Sequence, residues 1–206
     1  MLWRAGLLLI AAGLAFVPFD RRATHFFYDR IDIAWHKRLG RITHLAKAAH
    51  WLILAVIVWC VTWEWLYWIV ERPDVRLAWN AASLFILALT LGSAITHTIK
   101  LVLGRRRPRD DIEMGLYGFI PFACDLRMNS FPSGHALTIT IVAVIATILM
   151  PAGAPLWFAL AAALAMTRAL LCAHFVSDVL VGAGIGLVSV RIVLAAVFPQ
   201  MMPGWF

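Results

Sequence analysis

The feature that most limits how this chain can fold is a series of long apolar runs. A helix needs about 20 residues to cross roughly 30 Å of hydrocarbon. Six runs approach that length: residues 2–19, 47–70, 81–104, 132–150, 155–173 and 176–198. Backbone groups in lipid must pair within their own segment, so each run is expected to be a helix. The chain is therefore predicted to be an all-α polytopic membrane protein, a single domain with six transmembrane helices.

The composition agrees with this prediction. The chain is 63% hydrophobic and 14% charged, with a mean hydropathy of +0.84, which excludes an ordinary soluble domain. The first run could instead be a secretory signal, but it ends at Pro18-Phe19 without a small-residue cleavage site there, which favours a retained span. Residues 20–46 mix charged and aromatic side chains, a pattern typical of a segment lying in the membrane interface.

The positive charge of the chain is unevenly distributed between the two sides of the predicted membrane. If the spans alternate in direction, one face carries fourteen of the Lys and Arg residues and the other carries four. Short basic loops suit anionic lipid headgroups, and they contain no recognisable nucleic-acid-reading module. A lipid partner is therefore expected, and a nucleic-acid partner is not.

The first polar cluster follows the third apolar run. Lys100 and Arg107 are seven residues apart, which on a helix places both on one face about 10 Å apart along the axis. Pro108 disfavours helix at the residue before it, so the segment should end near Arg107. The two cations can converge on one anion, although a basic cluster after a span is also a common topology signal.

The second cluster immediately precedes the fourth run, where Ser133 occupies the position of a helix N-cap. A helix N-terminus presents unpaired N–H groups that bind phosphate well, and Gly134 would let phosphate oxygens approach the backbone. An ordinary capped helix would look the same. The adjacent His135 favours the functional interpretation.

The third cluster joins the fifth and sixth runs and contains Arg168, His174 and Asp178. If the last helix begins by His174, then Asp178 lies one turn further on the same face. A carboxylate there can hold one ring nitrogen and leave the other free to attack. Ionisable residues at span ends are functional candidates by default.

Span parity places all three clusters on the same side of the membrane, and that side is the basic one. Two histidines, a carboxylate and several fixed cations suit phosphoryl transfer, which depends mainly on positioning and on charge stabilisation. Our hypothesis is that His174 attacks phosphorus while Asp178 stabilises the imidazolium. His135 then protonates the leaving oxygen and later activates water.

The acidic residues do not form a pattern typical of a metal site. Asp110, Asp111 and Glu113 cluster in a loop, where solvated charge is the expected interpretation, and Asp125 stands apart. No metal and no cofactor is therefore expected.

The three clusters together resemble the motifs of the type 2 phosphatidic acid phosphatases, a family that shares its site with vanadium haloperoxidases. The matched positions, in the family's order and spacing, are Lys100 with Arg107-Pro108, then Pro132-Ser133-Gly134-His135, then Arg168 with His174 and Asp178. The resemblance implies a six-helix fold and metal-independent hydrolysis with His174 as nucleophile and His135 as acid. The resemblance also implies the phosphate ligands Lys100, Arg107, Ser133, Gly134 and Arg168.

One position departs from the family pattern. The third motif of the family begins Ser-Arg, and this chain has Thr167-Arg168. Threonine keeps the hydroxyl group, so we expect activity to survive.

The sequence predicts a lipid phosphatase but does not choose its substrate. Phosphatidic acid, phosphatidylglycerol phosphate, undecaprenyl diphosphate and a lipid A phosphate all remain candidates. Two alternatives stay open: transfer of the phosphoryl group to another lipid, and non-catalytic binding or transport of a lipid phosphate. The resemblance implies a bacterial inner-membrane protein with its site outside the cytoplasm, whereas the excess of basic residues on that face favours the cytoplasm.

Overall fold

The computed structural model describes residues 1–68, 72–122 and 128–202, and within these ranges the chain forms helices and irregular segments without any strand. The predicted all-α fold is therefore confirmed. Residues 69 and 70 of the predicted span 47–70, and Asp125 of the acidic set, lie outside the described residues.

The first part of the chain forms four helices. They are α1 (Leu2–Phe16), α2 (Asp20–Arg30), α3 (Ile33–Ile42) and α4 (Ala48–Trp68). A 3-10 turn at Val17–Phe19 joins α1 to α2 without a break, so that one helical run of 29 residues extends from Leu2 to Arg30. Asp32 caps α3 by accepting a hydrogen bond of 2.7 Å from the Trp35 amide.

The second part of the chain forms the five helices that carry the polar clusters. They are α5 (Pro73–Leu103), α6 (Pro108–Met114), α7 (Gly134–Leu149), α8 (Ala154–Leu170) and α9 (Val176–Ala196). Proline occupies the first turn of α5, α6 and α8, where its missing N–H group would have had no helical partner.

Five helical stretches are long and apolar enough to cross a membrane. They are Leu2–Arg30, Ile33–Trp63, Pro73–Leu103, Pro151–Leu170 and Val176–Ala196. The remaining predicted span, 132–150, contains α7, an apolar helix of 16 residues that rises about 24 Å. The structure thus agrees with six spans, of which the fourth is short.

Helix α9 lies at the centre of the bundle, in contact with α1, α5 and α7. The contact with α1 is close because glycines face the partner helix. A Cβ atom at Gly6 would lie 3.0 Å from the Gly184 carbonyl oxygen, and one at Gly13 would lie 3.0 Å from the Ser177 carbonyl oxygen. Small residues of this kind let membrane helices approach closely. The first and last spans are therefore packed side by side.

The segment 20–46 departs in part from the interfacial prediction. Helix α3 has no buried residue, and Ile33 is 77% exposed, as expected of an amphipathic helix at a surface. Helix α2 instead packs against α6, α8 and α9 and fully buries Asp20. The physical reason is that Asp20 finds buried hydrogen-bond donors, which are described below.

Candidate active site

The centre of the site is Asp178, a fully buried carboxylate in the first turn of α9. Its Oδ2 atom accepts hydrogen bonds from the Ser130 hydroxyl at 2.6 Å and from the Phe175 amide at 2.9 Å. Its Oδ1 atom accepts from the Arg105 guanidinium. These donors fix the carboxylate in one orientation, and the bond to Phe175 also caps α9.

His174 lies beside this carboxylate but is held by a different group. Its Nδ1 atom is 2.8 Å from the backbone carbonyl oxygen of Ser130 and 3.6 Å from Asp178 Oδ2. A carbonyl oxygen only accepts, so Nδ1 carries the proton and Nε2 keeps its lone pair in the neutral ring. Among the described residues, Nε2 has no hydrogen-bond partner.

The prediction that His174 and Asp178 share one helical turn is wrong, because α9 begins at Val176. His174 lies in the loop before the helix, and its ring reaches the Ser130 carbonyl rather than the carboxylate. The reason is that Arg105, Ser130 and the Phe175 amide already occupy the carboxylate oxygens. Asp178 therefore acts on the ring through its charge, at a distance slightly longer than a hydrogen bond.

Burial lowers the pKa of His174, and the charges of Lys100 and Arg168 lower it further, while Asp178 opposes them. The net result is a pKa below the ordinary value for histidine. The ring is therefore neutral, the form required of a nucleophile, at neutral pH.

Lys100 and Arg107 converge on a single residue, Asn129. Arg107 donates to Asn129 Oδ1 through Nε at 3.0 Å and Nη2 at 2.6 Å, and the Lys100 ammonium donates to the Asn129 carbonyl oxygen. The predicted common helical face is wrong, since α5 ends at Leu103 and Gly104 takes a left-handed conformation with φ of 50°. This turn, rather than helical spacing, brings Arg107 back towards Lys100.

Ser133 and Gly134 form the N-terminus of α7 as the sequence predicts. The Ser133 hydroxyl accepts from the Ala136 amide at 3.5 Å, and the Ser133 amide donates to the Asp178 carbonyl oxygen at 2.9 Å. A Cβ atom at Gly182 would lie 2.2 Å from the Ser133 carbonyl oxygen, whereas one at Gly134 would meet nothing within 4 Å. The start of α7 is thus packed tightly against α9 at Ser133, while space remains beside Gly134.

Arg168 reaches the site from the last turn of α8. Its Nη1 atom donates to the Thr43 hydroxyl at 3.4 Å, and its Nε atom has no hydrogen-bond partner within the described part of the chain. The Thr167 hydroxyl is buried, 2.9 Å from the Thr43 hydroxyl and 2.6 Å from the Leu164 carbonyl oxygen. Thr43 was not among the predicted residues, and it lies at the start of a 3-10 turn with no motif of its own.

His135 is half-buried in the first turn of α7. Its ring lies within electrostatic range of Arg168, His174, Lys47 and Arg107. Three of these four residues belong to the predicted site, so His135 and the candidate phosphate ligands share one region. Lys47, which precedes α4, is an additional cation there and lies outside the three sequence motifs.

The least expected part of the site is a buried pair, Asp20 and Arg105, each with a wholly buried side chain. Arg105 Nη2 donates to Asp20 Oδ2 at 2.8 Å, and Arg105 Nη1 donates to Asp178 and, at 2.7 Å, to the Ser177 hydroxyl. Burial opposes the charge, but Asp178 and then Asp20 raise the pKa of Arg105 above its usual value.

The sequence contained a signal for Asp20 and none for Arg105. Asp20 directly follows an apolar run, the placement that marked the other site residues as candidates. Arg105 stands in a run of three arginines, of which the motif selects only Arg107.

Asp110 and Asp111 differ from the solvated loop charges that were expected, whereas Glu113 is exposed as predicted, and all three lie in helix α6. Asp111 is 2% exposed and is paired with Arg21 of α2 at 3.0 Å and with the His25 ring at 3.2 Å. Asp110 accepts from the Arg107 amide at 3.1 Å and caps α6. Asp111 therefore ties α6 to α2, and Asp110 stabilises the start of α6. Across the described ranges, no three His, Cys, Asp or Glu residues come together as metal ligands would.

Comparison with known proteins identifies relatives of this chain. The family described as the PAP2 superfamily matches residues 81–202, more than half of the chain. Lipid A 1-phosphatases from Rhizobium etli and Rhizobium johnstonii are each 33% identical over 110 residues. That stretch covers 53% of this chain and 47% and 45% of the two relatives, so it spans about half of their length.

The fold has a solved counterpart. The crystal structure of a transmembrane PAP2-type phosphatidylglycerolphosphate phosphatase from Bacillus subtilis superposes with a TM-score of 0.66 at 21% identity. The superposition covers 100% of this chain and 97% of that protein. At this level of identity the likeness concerns the fold.

Proposed function

This chain belongs to the PAP2 superfamily, and from that membership we propose that it hydrolyses the phosphate of a membrane lipid through a phosphohistidine intermediate. The observation that carries the proposal is the hydrogen bond of 2.8 Å from His174 Nδ1 to the Ser130 carbonyl oxygen. That bond leaves Nε2 as the nucleophile, in a region that also holds Lys100, Arg107 and Arg168. Phosphate binding alone would require the cations but not an oriented imidazole.

The first step transfers the phosphoryl group from the lipid to His174. Nε2 attacks phosphorus in line, the N–P bond forms and the bond from phosphorus to the lipid oxygen breaks. His135 gives its proton to that oxygen, so the lipid leaves as an alcohol, or as a lipid monophosphate if the substrate is a diphosphate. The negative charge of Asp178 stabilises the positive charge that develops on the ring.

The second step releases phosphate and restores the enzyme. His135, now neutral, takes a proton from water as the water oxygen attacks phosphorus, and the N–P bond breaks. The phosphoryl oxygens carry most of the charge in both steps, and Arg107, Arg168 and Lys100 are the residues proposed to bind them. The open backbone at Gly134 would add N–H donors at the N-terminus of α7.

The proposed substrate is a lipid because the site lies at the ends of helices that span the membrane. The similarity to lipid A 1-phosphatases makes a lipid A phosphate the first candidate. Phosphatidic acid, phosphatidylglycerol phosphate and undecaprenyl diphosphate complete the panel to be tested. We also propose that the protein lies in a bacterial inner membrane with the site on the extracytoplasmic face.

The test is the release of inorganic phosphate from this panel by purified protein in detergent. His174→Ala should lower kcat at least about a thousandfold, the scale expected when a nucleophile is lost. His97→Ala is a matched control, because His97 is an exposed histidine of α5 whose Nδ1 donates to the Ser93 carbonyl oxygen at 2.7 Å. The control should keep wild-type turnover.

Three outcomes would contradict the proposal. Near-normal turnover by His174→Ala would show that another group attacks phosphorus. Loss of activity on chelation, restored by a divalent ion, would contradict the metal-independent reaction. Transfer to a second lipid, instead of hydrolysis, would appear as a phosphorylated acceptor with little free phosphate.

A further inference from the structure

Two carboxylates that are far apart in the sequence, Asp20 and Asp178, both accept from the guanidinium of Arg105, next to His174. Asp20 is the first residue of α2, Asp178 belongs to α9, and the Arg105 guanidinium donates to both carboxylates. All three side chains are wholly buried. Asp20 lies outside the residues 81–202 that match the family, so this part of the cluster belongs to the N-terminal segment of this chain.

The hydrogen bonds of Asp20 indicate that it is ionised. Oδ1 accepts from the Ser177 amide at 3.0 Å, and Oδ2 accepts from Arg105 Nη2 at 2.8 Å and from the Ser177 hydroxyl. The hydroxyl is free to donate because its oxygen accepts from Arg105 Nη1. Every partner of Asp20 is therefore a donor, and donors favour the charged form of a carboxylate.

The cluster consequently carries a net charge of minus one, the sum of two carboxylates and one guanidinium. If Asp20 were neutral, Arg105 would cancel Asp178 and the cluster would carry no net charge. The difference matters to His174, whose Nδ1 is 3.6 Å from Asp178 Oδ2. The other charged groups acting on His174 are Lys100 and Arg168, with the His135 ring nearby, and both cations oppose a positive ring.

The packing and hydrogen bonds of the Arg105 guanidinium also couple Asp20 to Asp178. Arg105 packs against the rings of Phe175, at 4.2 Å, and Phe119, at 4.8 Å from ring centroid to Cζ. Its Nη2 atom donates to Asp20 and its Nη1 atom donates to Asp178. The bond to Asp20 therefore fixes the orientation in which Arg105 contacts Asp178. Loss of Asp20 would leave a buried guanidinium with one carboxylate partner instead of two.

We propose that Asp20 is a positioning residue for the reaction: it holds Arg105 against Asp178 and keeps the cluster negative, so that the cluster stabilises positive charge on His174. This inference rests on the proposed function. The N-terminal helical run then contributes to catalysis through Arg105 and Asp178, without itself touching the substrate.

The test measures kcat, KM and the pH dependence of kcat/KM for Asp20→Asn, which removes the charge but keeps the shape. We expect kcat to fall about 10- to 100-fold, as for other outer partners of a reacting group. KM should stay within about twofold, because the proposed phosphate ligands are untouched. The acid limb of the profile should move to lower pH by about one unit, since one negative charge has been removed near the ring.

A charge-balanced double variant distinguishes electrostatics from damage to the structure. Asp20→Asn with Arg105→Gln removes one charge of each sign and restores the net charge of minus one. Its acid limb should return towards the wild-type position. The matched control is Asp111→Asn, a buried carboxylate that also ties α2 to a neighbour but lies outside the cluster. The acid limb of the kcat/KM profile of Asp111→Asn should stay at the wild-type pH.

Each outcome decides the question. An unchanged limb in Asp20→Asn, or wild-type kcat, would overturn the inference. If Asp20→Asn is not recovered folded from detergent, Asp20→Glu replaces it: a several-fold lower kcat with the limb in place supports the inference, and wild-type kcat overturns it. Absence of phosphate release by the unmutated protein would instead count against the proposed function.

Discussion

The ring of His174 owes its orientation to a backbone carbonyl, and this single contact sets the chemistry of the residue. Because the Ser130 oxygen accepts from Nδ1, the lone pair on Nε2 is available without any proton transfer. Ser130 also donates its hydroxyl to Asp178 at 2.6 Å and its amide to the Arg105 carbonyl oxygen at 3.1 Å. One buried serine thus aligns the histidine, the carboxylate and the arginine.

At the same scale, the environment of His174 predicts the pH dependence of activity. Burial, assisted by Lys100 and Arg168, lowers the pKa of His174 below its ordinary value of about 6.5. The neutral, nucleophilic form therefore persists as the pH falls, and it is lost only when the pH passes through the lowered value. The acid limb of kcat/KM should lie below pH 6.5, measured as phosphate release in a series of buffers. A limb at or above that value would contradict the net lowering of the His174 pKa by burial and the two cations.

The individual residues also show what a sequence can predict about a site. His135, His174, Asp178 and the cations Lys100, Arg107 and Arg168 carry their chemistry in their side chains and stand at fixed spacing, so the sequence identified them as candidates. The Ser130 carbonyl and Asn129 carbonyl have no such signature, because every residue has that group. Arg105 was missed for a related reason: three consecutive arginines look alike until packing buries one of them.

The membrane spans were predictable in number and type, but the ends of the helices were not. Hydropathy indicates where the chain is apolar, and each of the six apolar runs contains a helix. It does not indicate that a helix continues through the polar sequence Asp20–Arg30, where tertiary contacts with α6, α8 and α9 stabilise it. It also does not locate the left-handed turn at Gly104 or the start of α9 at Val176.

The contact between α7 and α9 predicts a sharp effect of one methyl group. In Gly182→Ala the new Cβ would lie 2.2 Å from the Ser133 carbonyl oxygen, and backbone at that position must move. Such overpacking typically costs about 1–3 kcal/mol. We expect a lower melting temperature in detergent and a loss of activity, since Ser133 and Gly134 would shift.

The control for this change is Gly40→Ala in α3. A Cβ atom there meets nothing within 4 Å, and alanine favours helix by about 1 kcal/mol over glycine. Its melting temperature should be unchanged or higher, with full activity. A Gly182→Ala protein as stable and active as the Gly40→Ala protein would show that the close packing of Gly182 against Ser133 does not hold α7 in place.

On the scale of the whole molecule, the site collects segments from both halves of the chain. Span parity predicted that the ends of α5 and α8 and the starts of α7 and α9 lie together, and in the structure the residues of these ends interact. Parity did not predict that α1 and α2 reach the same region. Their contribution follows from the close contact of Gly6 and Gly13 with α9, which only the packed bundle reveals.

The orientation of the molecule in the membrane is a separate prediction. The side of the membrane that holds the three polar clusters carries fourteen Lys and Arg residues, and the other side carries four. Five of the fourteen form hydrogen bonds or ion pairs within the site or with buried partners. They are Lys100, Arg107, Arg168, Arg105 and Arg21. Charges with a structural role say less about topology. We expect the site outside the cytoplasm and the C-terminus inside it.

A reporter fused after Phe206, a residue outside the described ranges, measures this directly. An alkaline phosphatase fusion should be inactive and a green fluorescent protein fusion should be fluorescent. The converse pattern would place the site in the cytoplasm.

The shared guanidinium has a consequence for how the protein is made. Helices enter the membrane in the order in which the ribosome delivers them, so Arg105 arrives with Asp20 already present and Asp178 still to be synthesised. Until α9 emerges and docks beside α1, Arg105 lacks one of its two carboxylates, and His174, which precedes α9, lacks the neighbouring charge of Asp178. We therefore expect that a chain ending before α9 releases no phosphate from a lipid, because it lacks Asp178.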